Sequence, residues 1–101
     1  MHPYSFQFEW DPVKAAANRC KHGVSFELAA SVFLDPLALT IPDDAHSVAE
    51  SRWVTMGKDM YGHDVVVVQP FEECGEDSGR IRIISARRPT RAEITQSEEE
   101  A

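Results

Sequence analysis

Residues 65–68 are four consecutive valines, and the run continues through Gln69, Pro70 and Phe71. β-Branched side chains favour extended backbone, and a run this rich in valine reads as a strand buried on both faces. A central strand is therefore expected here. Its flanks agree, because "KDMYGHD" before it holds a Gly-bearing turn and "EECGEDSG" after it is a polar turn, longer than a tight hairpin loop.

Other stretches show the same period of two. "LALTI" is a candidate strand, "DDAHSVAE" a polar connection, and "SRWVTMG" sets Trp53 and Thr55 against Val54 and Met56. "RIRIISAR" alternates again, with Arg80, Arg82, Ile84 and Ala86 on one face and Ile81, Ile83, Ser85 and Arg87 on the other. Near the N-terminus "FQFEW" puts Phe6, Phe8 and Trp10 on one side of a short strand.

Helical signals frame these strands. Asp11-Pro12 reads as an N-cap followed by proline at the first helical position, and Gly23 ends that helix in a left-handed cap. Ser25 caps a second helix, in which Phe26, Leu28, Ala29, Val32 and Phe33 recur at helical spacing until Asp35-Pro36. Thr90 and Glu93 form a capping box that opens a last helix. The expected fold is one α+β domain over residues 1–101: two N-terminal helices, a three- to four-stranded antiparallel sheet and a C-terminal helix, with the tail 97–101 fraying.

Composition narrows the function classes. Apolar residues make up 43% and charged residues 27% of the chain, as in an ordinary soluble domain. No apolar run approaches the roughly 20 residues that cross a bilayer, and the N-terminus lacks the order of a secretory signal. A cytoplasmic protein with no membrane partner is expected. Cys20 and Cys74 fit neither a disulfide framework nor a metal cluster, and read as two unrelated reduced thiols. His2, His22, His46 and His63 are scattered, so no metal site and no cofactor are expected.

The charge is −7, yet Arg82, Arg87, Arg88 and Arg91 fall within residues 81–93, just after Arg80. Seven acids (Glu72, Glu73, Glu76, Asp77, Glu98, Glu99 and Glu100) lie in one loop and the tail, and without them the formal charge is zero. Over a Debye length of about 8 Å, a distant acidic tail does not cancel a local basic face. Arg87 at a strand end, Arg88 in the link and Arg91 in the next helical turn would offer guanidinium and backbone N–H groups to a phosphate. The same arginines could equally pair with Glu93, Glu50 or the acidic loop. Trp53 beside Arg52 suits either a stacked RNA base or the core. Lys21 and His22 suit either a helix C-terminus or phosphate binding and proton transfer.

Four stretches together resemble the BrnT family of toxins from bacterial type II toxin–antitoxin pairs: "FEWDPVKAAANRCKHGVSFELAASVFLDP" (8–36), "ESRWVTMG" (50–57), the valine strand and "RIRIISARRPTRAE" (80–93). The resemblance implies a fold similar to RelE-type ribonucleases and a metal-independent cleavage of RNA (mRNA, on or off the ribosome) that inhibits translation. It also implies a BrnA-like antitoxin, through which alone the pair would bind operator DNA. Carried onto matching positions, it points to Arg52, Arg87, Arg91, Glu93 and His22 for catalysis. Lys21, Trp53, Arg82 and Arg88 would contact RNA. Glu93 or His22 would move protons, or Glu93 would only orient Arg52 or cap its helix.

The chain departs from the family in two places. The valine strand runs into Gln69, Pro70, Phe71 and acids rather than a tyrosine and bases, and "ITQSEEEA" lacks the arginines and tyrosine of many last helices. These losses leave an alternative: a weak or inactive toxin-derived protein that serves as an antitoxin-binding module. Direct DNA binding is disfavoured by the net charge and the lack of a helix-turn-helix pattern.

Overall fold

Val65, Val66 and Val67 are each at most 1% exposed in the computed structural model, which describes residues 5–43 and 52–100. His2, His46, Glu50 and nearly all of the connection 43–50 lie outside the described residues. The valines sit in the ten-residue strand β4 (Asp64–Glu73). Along one side β4 pairs antiparallel with β3 (Arg52–Lys58), and β3 in turn with β2 (Leu39–Pro42). Along its other side it meets two short strands in succession, β5 (Ser78–Arg82) and β6 (Ser85–Arg87).

Two features correct the expected antiparallel sheet that follows two helices. Strand β1 (Ser5–Glu9) precedes the helices and pairs parallel with β5, so the sheet is mixed, six-stranded and ordered β1-β5-β4-β3-β2, with β6 beside β4. Glu72 and Glu73 extend β4, which shortens the polar turn to residues 74–77.

The alternation read across residues 80–87 also breaks. Phe71 pairs with Ile81 and Val68 with Ser85, so four steps along β5–β6 oppose three along β4. One extra residue is a bulge, and it flips every later side chain to the opposite face. Ile81, Ile83 and Ala86 are therefore all in the core, and Arg87 turns to the other face. Pro70 lies opposite this break and has no N–H to contribute there.

The helices form as their caps dictate. In α1 (Pro12–His22) Asp11 Oδ1 accepts from Val13 N at 2.8 Å, and Gly23 takes φ 71°. Helix α2 (Phe26–Ser31) starts at Ser25 and tightens into a 3₁₀ turn, Val32–Leu34. Val24, Phe26, Ala29 and Val32 cover one sheet face, against Val65, Val67, Ile81, Ile83 and Ala86. The opposite face carries Leu39, Ile41, Val54, Met56 and Val66, and α3 (Arg91–Glu100) approaches it with Glu93, Gln96 and Ser97. No described helix is long and apolar enough to cross a membrane.

Candidate functional site

The junction between β6 and α3 gathers the arginine cluster. The bulge sends Arg87 to the α3 face, where its Nη1 and Nη2 donate to the two carboxylate oxygens of Glu93 at 2.8 and 2.9 Å. Arg87 Nη1 also lies 3.3 Å from the carbonyl of Arg88. The capping box is formed: Thr90 N donates to Glu93 Oε1 at 2.8 Å, and Glu93 N to Thr90 Oγ1 at 3.2 Å. The guanidinium of Arg87, helped by the Thr90 amide, holds the Glu93 carboxyl at about 2, against an ordinary 4.5. Glu93 in return raises the Arg87 pKa.

Such a carboxylate stays ionised at any physiological pH and has both oxygens engaged. It is suited to fixing Arg87 and capping α3, and unsuited to accepting a proton. A guanidinium has five N–H groups, so Arg87 retains donors for an incoming anion after serving Glu93 and Arg88.

Arg88 is tied to the turn between β3 and β4. Its Nη1 donates to the Asp64 carbonyl at 3.1 Å and lies 3.5 Å from Asp59 Oδ2. The Asp59 side chain is fully buried, whereas 42% of the Arg88 side chain is exposed. Burial pushes the Asp59 carboxyl up, but the N–H groups of His63 and Tyr61 and the Arg88 guanidinium outweigh it and hold it below the ordinary range. Arg91, exposed in the first turn of α3, has no acid within ion-pair distance among the described residues.

The other sequence candidates are spread around this junction. Lys21 and His22 follow Asn18 at helical spacing and so share its face of α1, the face that meets β6. No hydrogen bond joins either to Arg87 or Glu93. Arg52 and Trp53 are neighbours in one strand and point to opposite faces. Trp53 lines an apolar pocket with Phe6, Phe33 and Phe71 on the α1–α2 side, so the two do not form one basic-aromatic surface. Arg82 pairs in register with Glu9 at the end of β5.

Two positioning residues were missed. Asn18, 7% exposed, donates through Nδ2 to the carbonyls of Val24 (3.0 Å) and Ala86 (2.8 Å), and its Oδ1 accepts from Ala86 N (3.1 Å). It thus continues the ladder on the side of β6 turned away from β4 and ties α1 to the residue before Arg87. An amide inside an otherwise apolar helical face was the available signal. Asp59 had a weaker one, since an acid in a glycine-bearing turn is ordinary. Among the described residues, no three His, Cys, Asp or Glu side chains converge to hold a metal.

Comparison with known proteins places this architecture in a toxin family. The family model described as "Ribonuclease toxin, BrnT, of type II toxin-antitoxin system" matches residues 10–93. The fold is also similar to the crystal structure of the Brucella abortus ribonuclease toxin BrnT, with a TM-score of 0.60 and 24% identity over 87% of this chain and 99% of that one. No curated protein matches the chain. The chain belongs to the BrnT family of type II toxin–antitoxin systems.

Proposed function

We propose that the chain cleaves RNA at the β6–α3 junction, without a metal, and so inhibits translation until an antitoxin covers the junction. The observation that carries this reading is the Arg87–Glu93 pair beside the exposed Arg91, in a chain whose family is described as ribonuclease toxins. Glu93 orients Arg87, and Arg87 and Arg91 hold the scissile phosphate. Their charge stabilises the negative charge that builds on phosphorus as the ribose 2′-hydroxyl attacks. Arg52 meets a neighbouring phosphate, and Lys21, Arg82 and Arg88 extend the RNA contact, with Trp53 left to the apolar pocket on the other face. A BrnA-like partner covers this surface and supplies any binding to operator DNA. Proton transfer falls to an imidazole rather than to Glu93.

Induced expression in cells tests this reading, with growth and translation followed for the wild type, Arg87→Ala and Arg91→Ala. Arrest by the wild type, relieved in both variants, supports it. A second reading has an observation of its own: Arg87 and Arg88 already hold the carboxylates of Glu93 and Asp59, which lowers the free positive charge of the junction. On that reading the chain is an antitoxin-binding module that cuts RNA weakly or not at all. Harmless wild-type expression, together with tight binding to the protein encoded beside it, would favour this reading.

A further inference from the structure

Resting on the ribonuclease reading, we propose that His63 is the general base of the cleavage, set on the rim of the junction by the β3–β4 turn. An open hollow of about 530 Å³ separates that turn from the start of α3, and Gly62, His63, Asp64, Arg88, Pro89 and Ile94 line it. One wall is thus the turn that carries His63, and the other is Arg88 and Pro89 of the link with Ile94 of α3. Arg88, the cation in this lining, is the residue that joins the hollow to the β6–α3 junction.

The turn fixes where the imidazole stands. His63 N donates to Asp59 Oδ1 at 3.0 Å, and the His63 carbonyl accepts from Asp59 N at 2.9 Å. Gly62, at φ 80°, closes the loop with a 2.9 Å bond from its N–H to the Asp59 carbonyl. The backbone is pinned on both sides, while the side chain is exposed and has no hydrogen bond or ion pair among the described residues. The charged groups around it are Asp59 and Asp64 from its own turn, Lys58 paired to Asp64 at 3.1 Å, and Arg88 from the β6–α3 link. Glu93, the acid closest to the arginines in sequence, is committed to Arg87 and held at about 2. Imidazole is the side chain whose ordinary titration falls between about pH 5 and 8.

The proton balance is simple. His63 takes the proton of the ribose 2′-hydroxyl, and the 2′-oxygen forms a bond to the adjacent phosphorus. The bond from phosphorus to the 5′-oxygen breaks, leaving a 2′,3′-cyclic phosphate. The leaving 5′-oxygen takes a proton from water, and the hydroxide so formed is neutralised by the imidazolium.

The test is cleavage of a short RNA oligonucleotide by the purified full chain between pH 5 and 9, for the wild type, His63→Gln and His63→Ala. The wild-type rate is expected to rise with pH through a single protonation step. Both variants should lose that step and about 100-fold or more in kcat, with KM little changed. Added imidazole should restore part of the His63→Ala rate. In the wild type, the His63 ring resonance should shift on titration with the uncleavable 2′-O-methyl oligonucleotide, a readout that needs no variant to fold. Full activity with an unchanged pH profile in a folded His63→Gln, or an unmoved resonance, overturns the role of His63 and leaves the ribonuclease reading standing. A folded wild type that leaves RNA intact at every pH overturns both.

Discussion

Arg87 and Glu93 face each other through two parallel hydrogen bonds, across the point where β6 hands over to α3. The same carboxylate caps the helix, so one side chain sets both the arginine's direction and the helix's start. Glu93→Gln keeps the shape but removes the charge and one acceptor. With the two side chains 38% and 33% exposed, solvent screens the pair, and a loss of about 1 kcal/mol is expected in urea unfolding. On the proposed role, in which Glu93 orients Arg87 and accepts no proton, the pH profile of RNA cleavage should keep its shape while the rate falls. A profile that loses its acidic limb in Glu93→Gln would make Glu93 the base.

Acid should weaken the fold in a defined window. The Glu93 carboxyl is lowered to about 2 from 4.5, so its contribution is complete above about 4.5 and is lost as pH falls toward 2. Asp35 acts in the same direction: the N–H of Lys58, then that of Leu37, hold its carboxyl below the ordinary range. Asp59 does so too, despite the opposing effect of its burial. Thermal melts taken from pH 7 down to pH 2.5 should show Tm falling mainly below pH 4.5. In Glu93→Gln the fall should be shallower. An equal fall in both would remove Glu93 from the account.

Gly57 is fixed by contact rather than by a turn. A methyl group there would stand 2.8 Å from Ala38 Cβ and 3.0 Å from both Asp35 Oδ2 and Val32 Cγ1. Asp35 Oδ2 also accepts from Lys58 N at 2.8 Å, so it has little freedom to retreat. Gly57→Ala should cost about 1–3 kcal/mol by overpacking, read as a lower urea midpoint with an unchanged m-value. A neutral result would mean that the loop after α2 shifts freely.

What could be read from the chain beforehand divides along sequence distance. Asp11, Gly23, Ser25 and the Thr90–Glu93 box were legible because each cap acts on its own turn. The central strand was legible because four valines allow little else. The register of β5–β6 was not, since a bulge leaves the alternation of side chains looking regular while moving Arg87 to the other face. Pro70 was its one local sign. The parallel β1–β5 pair was hidden because Phe6 and Gly79 are brought together only by the complete sheet. The same holds for the site. Arg87 and Glu93 were both named, and their positions bracket one turn. Asp59 and Asn18, which hold Arg88 and β6 from elsewhere in the chain, were not.

Asn18 provides the sharpest test of how the junction is built. Its amide makes two hydrogen bonds to the backbone of Ala86 and one to the carbonyl of Val24, all in buried surroundings. Asn18→Leu fills similar volume but leaves those backbone groups without partners. A destabilisation of about 2–3 kcal/mol is expected in urea unfolding. Asn18→Asp preserves one acceptor for Ala86 N and replaces the donor by a buried charge facing two carbonyls, so it should cost at least as much at neutral pH and recover in part as the pH is lowered. Hydrogen exchange should locate the damage. The Ala86 amide should lose protection first, and the Val66–Arg87 register should loosen with it, while the amides of β3 keep theirs. If both variants unfold at the wild-type urea midpoint, the α1–β6 tie does not support the junction, and Arg87 is held by Glu93 alone.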